Sequence, residues 1–395
     1  MVFYDDMSSP KSSGILITTG IFPPDIGGPA SYSETLARKL SDNFSVTLIT
    51  YSSKIKYARD KSLPFKVIRV WKKVPKPLRH LIFFLRTLAV AKNFDRILSL
   101  NAVSAGVPAM LASKVLKKKF WVKVVGDYAW ETAANFQKTQ LLIDDFQKSQ
   151  RRGKIGILHR LQSWVCKNAD GIIVPSNYLA GMVAGWGVQP EKIKVVYNGV
   201  AGNTNELNQE EARNKIGIHG NIILSVGRLV PWKGFRMLIK IMPQLLSINQ
   251  FFRLVIVGSG PEQKPLEAMV KNLGLHNKVH LVGKKSREEL ENFMAGSEMF
   301  ILNTGYEGFS HQIIEVMAAG LPVITTAVGG NKEIVNQGEN GFMVKYNDEF
   351  NLIEAIKTLW QVPEMKTRFI DEGRKTAEHF NDEKMFEETV KILMG

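Results

Sequence analysis

Arg228 and Lys233 stand five residues apart in the segment V-G-R-L-V-P-W-K-G, directly after the apolar run Ile222–Val226. A forked guanidinium and a mobile ammonium at one strand end suit a pyrophosphate. Cations fixed in advance also stabilise charge that develops on a departing group, without reorganisation. Two solvated loop charges fit the same spacing equally well. A second segment, E-G-F-S-H-Q-I-I-E, runs from Glu307 to Glu315. Ser310, His311 and Gln312 fall at a helix start, where free backbone N–H groups face anions. Glu307 lies in the preceding loop and Glu315 inside the helix, so the two carboxylates sit at different depths of one cleft.

Two glycine-rich segments add weaker signals. Gly27 and Gly28 open G-G-P-A-S-Y before a helix, where backbone can approach a phosphate or sugar closely. A plain tight turn explains the pair as readily. The segment V-G-S-G-P-E, Val257–Glu262, supplies Gly258 in a loop and a proline for a first helical turn. No G-x-G-x-x-G occurs, which disfavours an NAD-dependent oxidoreductase.

These segments need a scaffold that brings strand ends together. Buried-strand runs occur at Ile15–Thr19, Val46–Thr50, Lys66–Val70, Arg96–Leu100, Trp121–Val125 and Ile172–Pro175. They recur at Ile222–Val226, Arg253–Val257, Val279–Val282, Met299–Leu302 and Pro322–Thr326. Helical patterns lie between many of them, as at Tyr32–Leu40, Leu78–Ala91, Phe235–Leu246 and Arg287–Ala295, which predicts parallel sheets covered on both faces. The aperiodic stretch Ala201–Gln209 reads as a linker. The expectation is two α/β domains, residues 1–200 and 201–377, followed by an amphipathic helix at Asp382–Leu393.

The totals narrow the class. A chain of 395 residues exceeds one comfortable core. Its single cysteine, Cys166, forms no internal disulfide and fits a reducing compartment. No run of about 20 apolar residues suggests a membrane span. Met1–Ser13 does not read as a secretory signal but as a loose tail, so a cytoplasmic location is expected. Residues 1–200 carry a net charge of +17 and the remainder −2. Nucleic acid and an anionic bilayer both suit such a basic half. No nucleic-acid module or basic–aromatic interleaving is present, so nucleic acid is not expected. In Arg69–Arg86, basic residues flank the run Leu81–Leu85, a pattern for an interfacial helix or for a core helix with a solvated edge.

Taken together, G-G-P-A-S-Y, V-G-R-L-V-P-W-K-G, V-G-S-G-P-E and E-G-F-S-H-Q-I-I-E, followed by A-A-G-L-P-V-I at Ala318–Ile324, resemble the family 4 retaining glycosyltransferases. The resemblance implies the GT-B fold, two Rossmann-like parallel-sheet domains facing across a cleft, with residues 378–395 packing back on the first. It implies that Arg228 and Lys233 hold a nucleotide-sugar diphosphate, Glu307 the donor sugar and Glu315 the ribose. Gly27 and Gly28 would close over the phosphates, with Gly258, Ser310, His311 and Gln312 also in the donor site. The chain contains no Asp-x-Asp, so no metal or other cofactor is expected. The acceptor would be a glycan, a lipid-linked sugar or a small molecule.

One departure stands out. Many such relatives carry histidine after the fifth strand, where this chain reads V-V-G-D-Y-A-W-E, with Gly126 at that place. Asp127 then offers either a sugar or acceptor contact or a helix cap. The alternatives to a transferase are a silent nucleotide-sugar-binding homologue and a GT-B epimerase, which needs no acceptor.

Overall fold

The computed structural model of the protein describes residues 14–25, 27–136, 138–200 and 207–395. Seven strands make the first sheet: β1 (Gly14–Thr19), β2 (Ser45–Ser52), β3 (Lys66–Trp71), β4 (Arg96–Ser99), β5 (Lys119–Lys123), β6 (Gly171–Val174) and β7 (Ile193–Val195). Six make the second: β8 (Asn221–Val226), β9 (Phe252–Val257), β10 (Val279–Leu281), β11 (Ser297–Leu302), β12 (Val323–Thr326) and β13 (Gly341–Val344). Their orders are β3-β2-β1-β4-β5-β6-β7 and β10-β9-β8-β11-β12-β13, with the strands parallel throughout. Continuous apolar sequence causes this: β1 and β11 are buried along their whole length, as strands covered by helices on both faces must be.

Each sheet reverses its strand order once, between β1 and β4 and between β8 and β11. Crevices for ligands open outside the carboxyl ends of strands at such switch points. The loops that leave β8 and β11 are those that carry Arg228, Lys233 and Glu307.

The helix Asp382–Met394 belongs to the first core. Met385, Phe386 and Leu393 pack with Ile15, Ile17, Leu36 and Leu98, and Arg96 donates to the Met394 carbonyl at 3.3 Å. The chain passes between the two sheets twice, and the crossings touch, because Val200 N–H donates to Phe380 O at 2.9 Å. Gly199 permits this contact, since a Cβ there would lie 2.3 Å from the Asn381 carbonyl.

Three details differ from the sequence expectations. The short strands β7 and β13 were not anticipated, having three and four residues. The predicted helix Phe235–Leu246 is two helices, Phe235–Lys240 and Met242–Ile248. Pro243, without an N–H, sits in the first turn of the second, where that loss costs nothing. Of the expected linker, Ala201–Glu206 lie outside the described residues, as does the tail Met1–Ser13. Asn208 and Glu211 form a reciprocal capping box, so the linker ends one residue earlier than expected.

Gly258 has a packing reason. Its φ is 149°, and a Cβ would fall 1.8 Å from the Gly227 carbonyl oxygen, next to Arg228. Gly258→Ala should therefore lower stability by about 2 kcal/mol or more, the range for forced backbone shifts. A urea midpoint equal to that of the wild type would refute this role.

Candidate active site

The second-domain wall is made by two interlocked loops. The β8 exit runs through Arg228 to a short turn at Pro231–Lys233 and reverses at Gly234, whose φ is 60°. The β11 exit clamps that turn. Gly305 N–H donates to Trp232 O at 2.7 Å, Thr304 Oγ1 to the same carbonyl at 3.2 Å, and Asn303 Nδ2 to Gly234 O at 3.1 Å. A Cβ on Gly234 would lie 2.1 Å from Asn303 O, so the two loops touch only because this residue is glycine. The result is an ion pair between Lys233 Nζ and Glu307 Oε1, both side chains mostly buried. Arg228 is exposed on the cleft and has no ion-pair partner among the described residues. Gly330 N–H holds Glu307 O at 3.0 Å from behind.

The first domain supplies the opposite wall. Gly28, Tyr32, Lys123, Val125 and Glu131 line a cleft of about 310 Å3 together with Arg228, Lys233, Tyr306, Glu307 and His311. Lys123, at the end of β5, is 2% exposed and has no carboxylate partner among the described residues. Its Nζ lies 3.9 Å from the Tyr32 ring centroid and 3.4 Å from Asn198 Oδ1. Burial lowers its pKa to about 7, because neither a ring face nor an amide replaces lost hydration. Burial raises the Glu131 carboxyl to about 7, and the charges of Asp127 and Glu307 add to the rise against Arg228 and Lys233.

Asp127 is not a cleft residue. It is wholly buried, and Oδ1 accepts from Ala129 N–H and Trp130 N–H at 2.9 and 3.0 Å, capping the helix Tyr128–Asn135. Gln147 and Gln162 donate to it at 2.7 and 2.9 Å, so four donors compensate the buried charge. The cap reading is correct, and the sugar-contact reading of Asp127 is not. What the cap fixes is the helix whose Trp130 and Glu131 face the second domain. Trp130 lies 5.0 Å from both Trp232 and Tyr306, ring centroid to centroid.

Further bonds join the walls. Ser176 Oγ donates to Gly308 O at 2.6 Å. Glu333, in the second domain, accepts from Asn177 N–H and Tyr178 N–H at 2.9 and 2.8 Å. A carboxylate of one domain thus caps the helix Asn177–Gly185 of the other.

The remaining expected residues fall in several places. Gly28 and His311 line the cleft. Gly27, with φ 156°, is the N-cap of the helix Gly28–Asn43. Ser310 is buried, and its hydroxyl accepts from Ile313 N–H to cap the helix His311–Ala318. Gly258 packs beneath Gly227 and does not line the cleft. Gln312 is half-buried outside the lining set. Glu315 shares the His311 face one turn on, but it too lies outside that set. Burial raises its pKa against the pull of Arg287, with Asp382 and Glu291 also near. Sequence reasoning missed Lys123, Glu131, Trp232 and Tyr306. The signal for Lys123 was a lysine inside a buried-strand run, which is expensive without a purpose.

Residues 26–201 match Glycosyltransferase Family 4 and residues 208–376 match Glycosyl transferases group 1. The N-acetylgalactosamine-N,N'-diacetylbacillosaminyl-diphospho-undecaprenol 4-alpha-N-acetylgalactosaminyltransferase of Campylobacter jejuni is 28% identical over 57% of this chain and 60% of its own length. The lipopolysaccharide core biosynthesis glycosyltransferase LpsE of Rhizobium meliloti is 27% identical over 53% of this chain and 59% of its own. The chain thus spans little more than half the length of these curated relatives. The crystal structure of Anabaena HepE with UDP and glucose aligns with TM-score 0.80 at 19% identity, covering 97% of this chain and 100% of that one. Sucrose-phosphate synthase of Thermosynechococcus elongatus aligns with TM-score 0.77 at 20% identity, covering 96% and 98%. These likenesses and the two facing parallel sheets make the fold GT-B. Since each half of the chain matches its own part of one family, the protein belongs to the group 1, family 4 glycosyltransferases.

Proposed function

We propose that the protein transfers a sugar from a nucleotide-diphosphate donor to a glycan, lipid-linked or small-molecule acceptor, retaining the anomeric configuration and using no metal. The observation that carries this reading is the convergence of Arg228, Lys233 and Glu307 on one cleft wall, facing the first domain. As the bond from the anomeric carbon to the phosphate oxygen breaks, Arg228 and Lys233 offset the charge left on the diphosphate. The acceptor hydroxyl attacks from the side on which the diphosphate departs and gives its proton to a phosphate oxygen. Glu307 accepts hydrogen bonds from the donor sugar and holds Lys233 in place through their ion pair. Gly28 opens the way for phosphates at a helix N-terminus, since a Cβ there meets nothing within 4 Å. Glu315 is assigned to the ribose.

The acceptor side suits an anionic membrane surface, reached from the cytoplasm. On the helix Lys76–Ala91, Phe83 and Thr87 are buried while Leu78, Leu81 and Leu85 form an exposed stripe, each about half exposed. The neighbouring elements β3 and the helix Gly106–Leu116 also carry exposed apolar residues, Trp71, Leu111 and Val115, and Lys73, Lys76, Arg86, Lys114 and Lys117 are exposed on or beside these elements. Leucines that dip into the headgroup region with flanking cations are the pattern of interfacial binding. No described helix is long and apolar enough to cross a membrane.

Three measurements test these assignments. Purified protein should show a thermal shift with one of UDP, GDP or ADP, or with its sugar conjugates, without added metal. Ligand at a hundred times its dissociation constant adds about 2.7 kcal/mol of stability. Lys233→Ala should then lower turnover on the order of 100-fold, as loss of one charge-stabilising donor does. No shift with any nucleotide in folded protein would refute the donor reading. Separately, the protein should sediment with phosphatidylglycerol vesicles at low salt, and less as salt rises. The double variant Leu81→Glu, Leu85→Glu should lose most of that binding, and equal binding by the variant would exclude this face.

A further inference from the structure

Gly126 leaves a space that the structure fills from elsewhere. A Cβ at this position would meet Glu131 Oε1 at 2.5 Å and the Tyr306 hydroxyl at 2.9 Å. The carboxyl group of Glu131 therefore occupies the volume that a side chain on residue 126 would take. It arrives there from the helix capped by Asp127, whose first turn is closed by Glu131 N–H on Asp127 O at 2.9 Å. Among the cleft-lining residues it is the one carboxylate contributed by the first domain, and it stands across from the Lys233–Glu307 pair. No described residue donates a hydrogen bond to it. The Tyr306 hydroxyl beside it is also buried without a partner.

We propose that Glu131 is a specificity-determining residue for the donor sugar, its carboxyl group taking hydrogen bonds from sugar hydroxyls in the volume that Gly126 leaves open. This rests on the transferase reading above. The chemistry of the cleft decides the ligand part. A phosphate is repelled by Glu131 and Glu307 and attracted by Arg228 and Lys233, so the diphosphate lies toward the cations. The neutral, hydroxyl-bearing part then falls between the two carboxyl groups. A half-buried carboxyl with unused acceptor capacity gains most from such donors. Burial that raises its pKa to about 7 agrees with a group lacking partners in the free protein.

The test is calorimetric binding of UDP with UDP-glucose and UDP-N-acetylglucosamine, GDP with GDP-mannose, and ADP with ADP-glucose. For the pair that the wild type binds, Glu131→Ala should weaken the sugar conjugate about tenfold or more while the parent nucleotide changes less than twofold. Glu131→Gln, which keeps one acceptor oxygen, should recover part of the loss. Gly126→Ala should show the same selective loss by displacing the carboxyl group, and adding it to Glu131→Ala should cost little more, because the two act through one contact. Equal weakening of nucleotide and conjugate, or no change in either, would overturn the assignment while leaving the transferase reading intact. A wild type that binds no nucleotide overturns both.

Discussion

The cleft has a shape only because two separate sheets are held at a fixed distance and angle, and polar bonds across the gap do much of the holding. Glu333 receives two N–H groups from a helix start in the other domain. A helix N-terminus carries partial positive charge, which a carboxylate complements. Ser176 on Gly308 and Trp130 against Trp232 and Tyr306 add a second and third point of attachment. The attachments are modest in energy and close to the ligand volume, which suits domains that admit and release a substrate.

Within that frame, the charges are arranged by unequal compensation. Asp127 is fully buried and fully satisfied, with four donors on one carboxylate. Lys123 is as buried and almost unsatisfied. The first arrangement stabilises structure and the second keeps interaction energy available for a ligand, at the cost of desolvation. Lys233 and Glu307 are intermediate: each satisfies the other, and the diphosphate proposed above would compete for the lysine.

What the sequence revealed follows the same division. Arg228, Lys233 and Glu307 were legible because each lies in a loop directly after a strand, and strand ends of a parallel sheet share an edge. Helix capping was legible where residue type and spacing are local, and Asp127 followed by Trp130 and Glu131 was such a case. Glu131 itself was not legible as a site residue. Its meaning comes from an absent side chain five positions earlier and from Tyr306, which is 175 residues away. Gly258 and Ser310 also carry structural roles that the motifs alone did not display: the first permits a backbone crossing and the second caps a helix end. The strands β7 and β13 are too short for a periodic signal, and only pairing with β6 and β12 makes them strands.

The helix Asp382–Met394 lends Met385, Phe386 and Leu393 to a core otherwise built from residues 15–196 of the first domain. That has a consequence during synthesis. A ribosome releases the whole first sheet well before these three side chains emerge, with all of the second domain made in between. At ordinary elongation rates the delay is on the order of 10 s. Through that interval the surface around Ile15, Ile17, Leu36 and Leu98 lacks its cover, so the second domain is the first to possess every part of its own interior. The nascent chain should accordingly depend on chaperones along its first half, and the early-made domain should be the later one to become resistant to proteases.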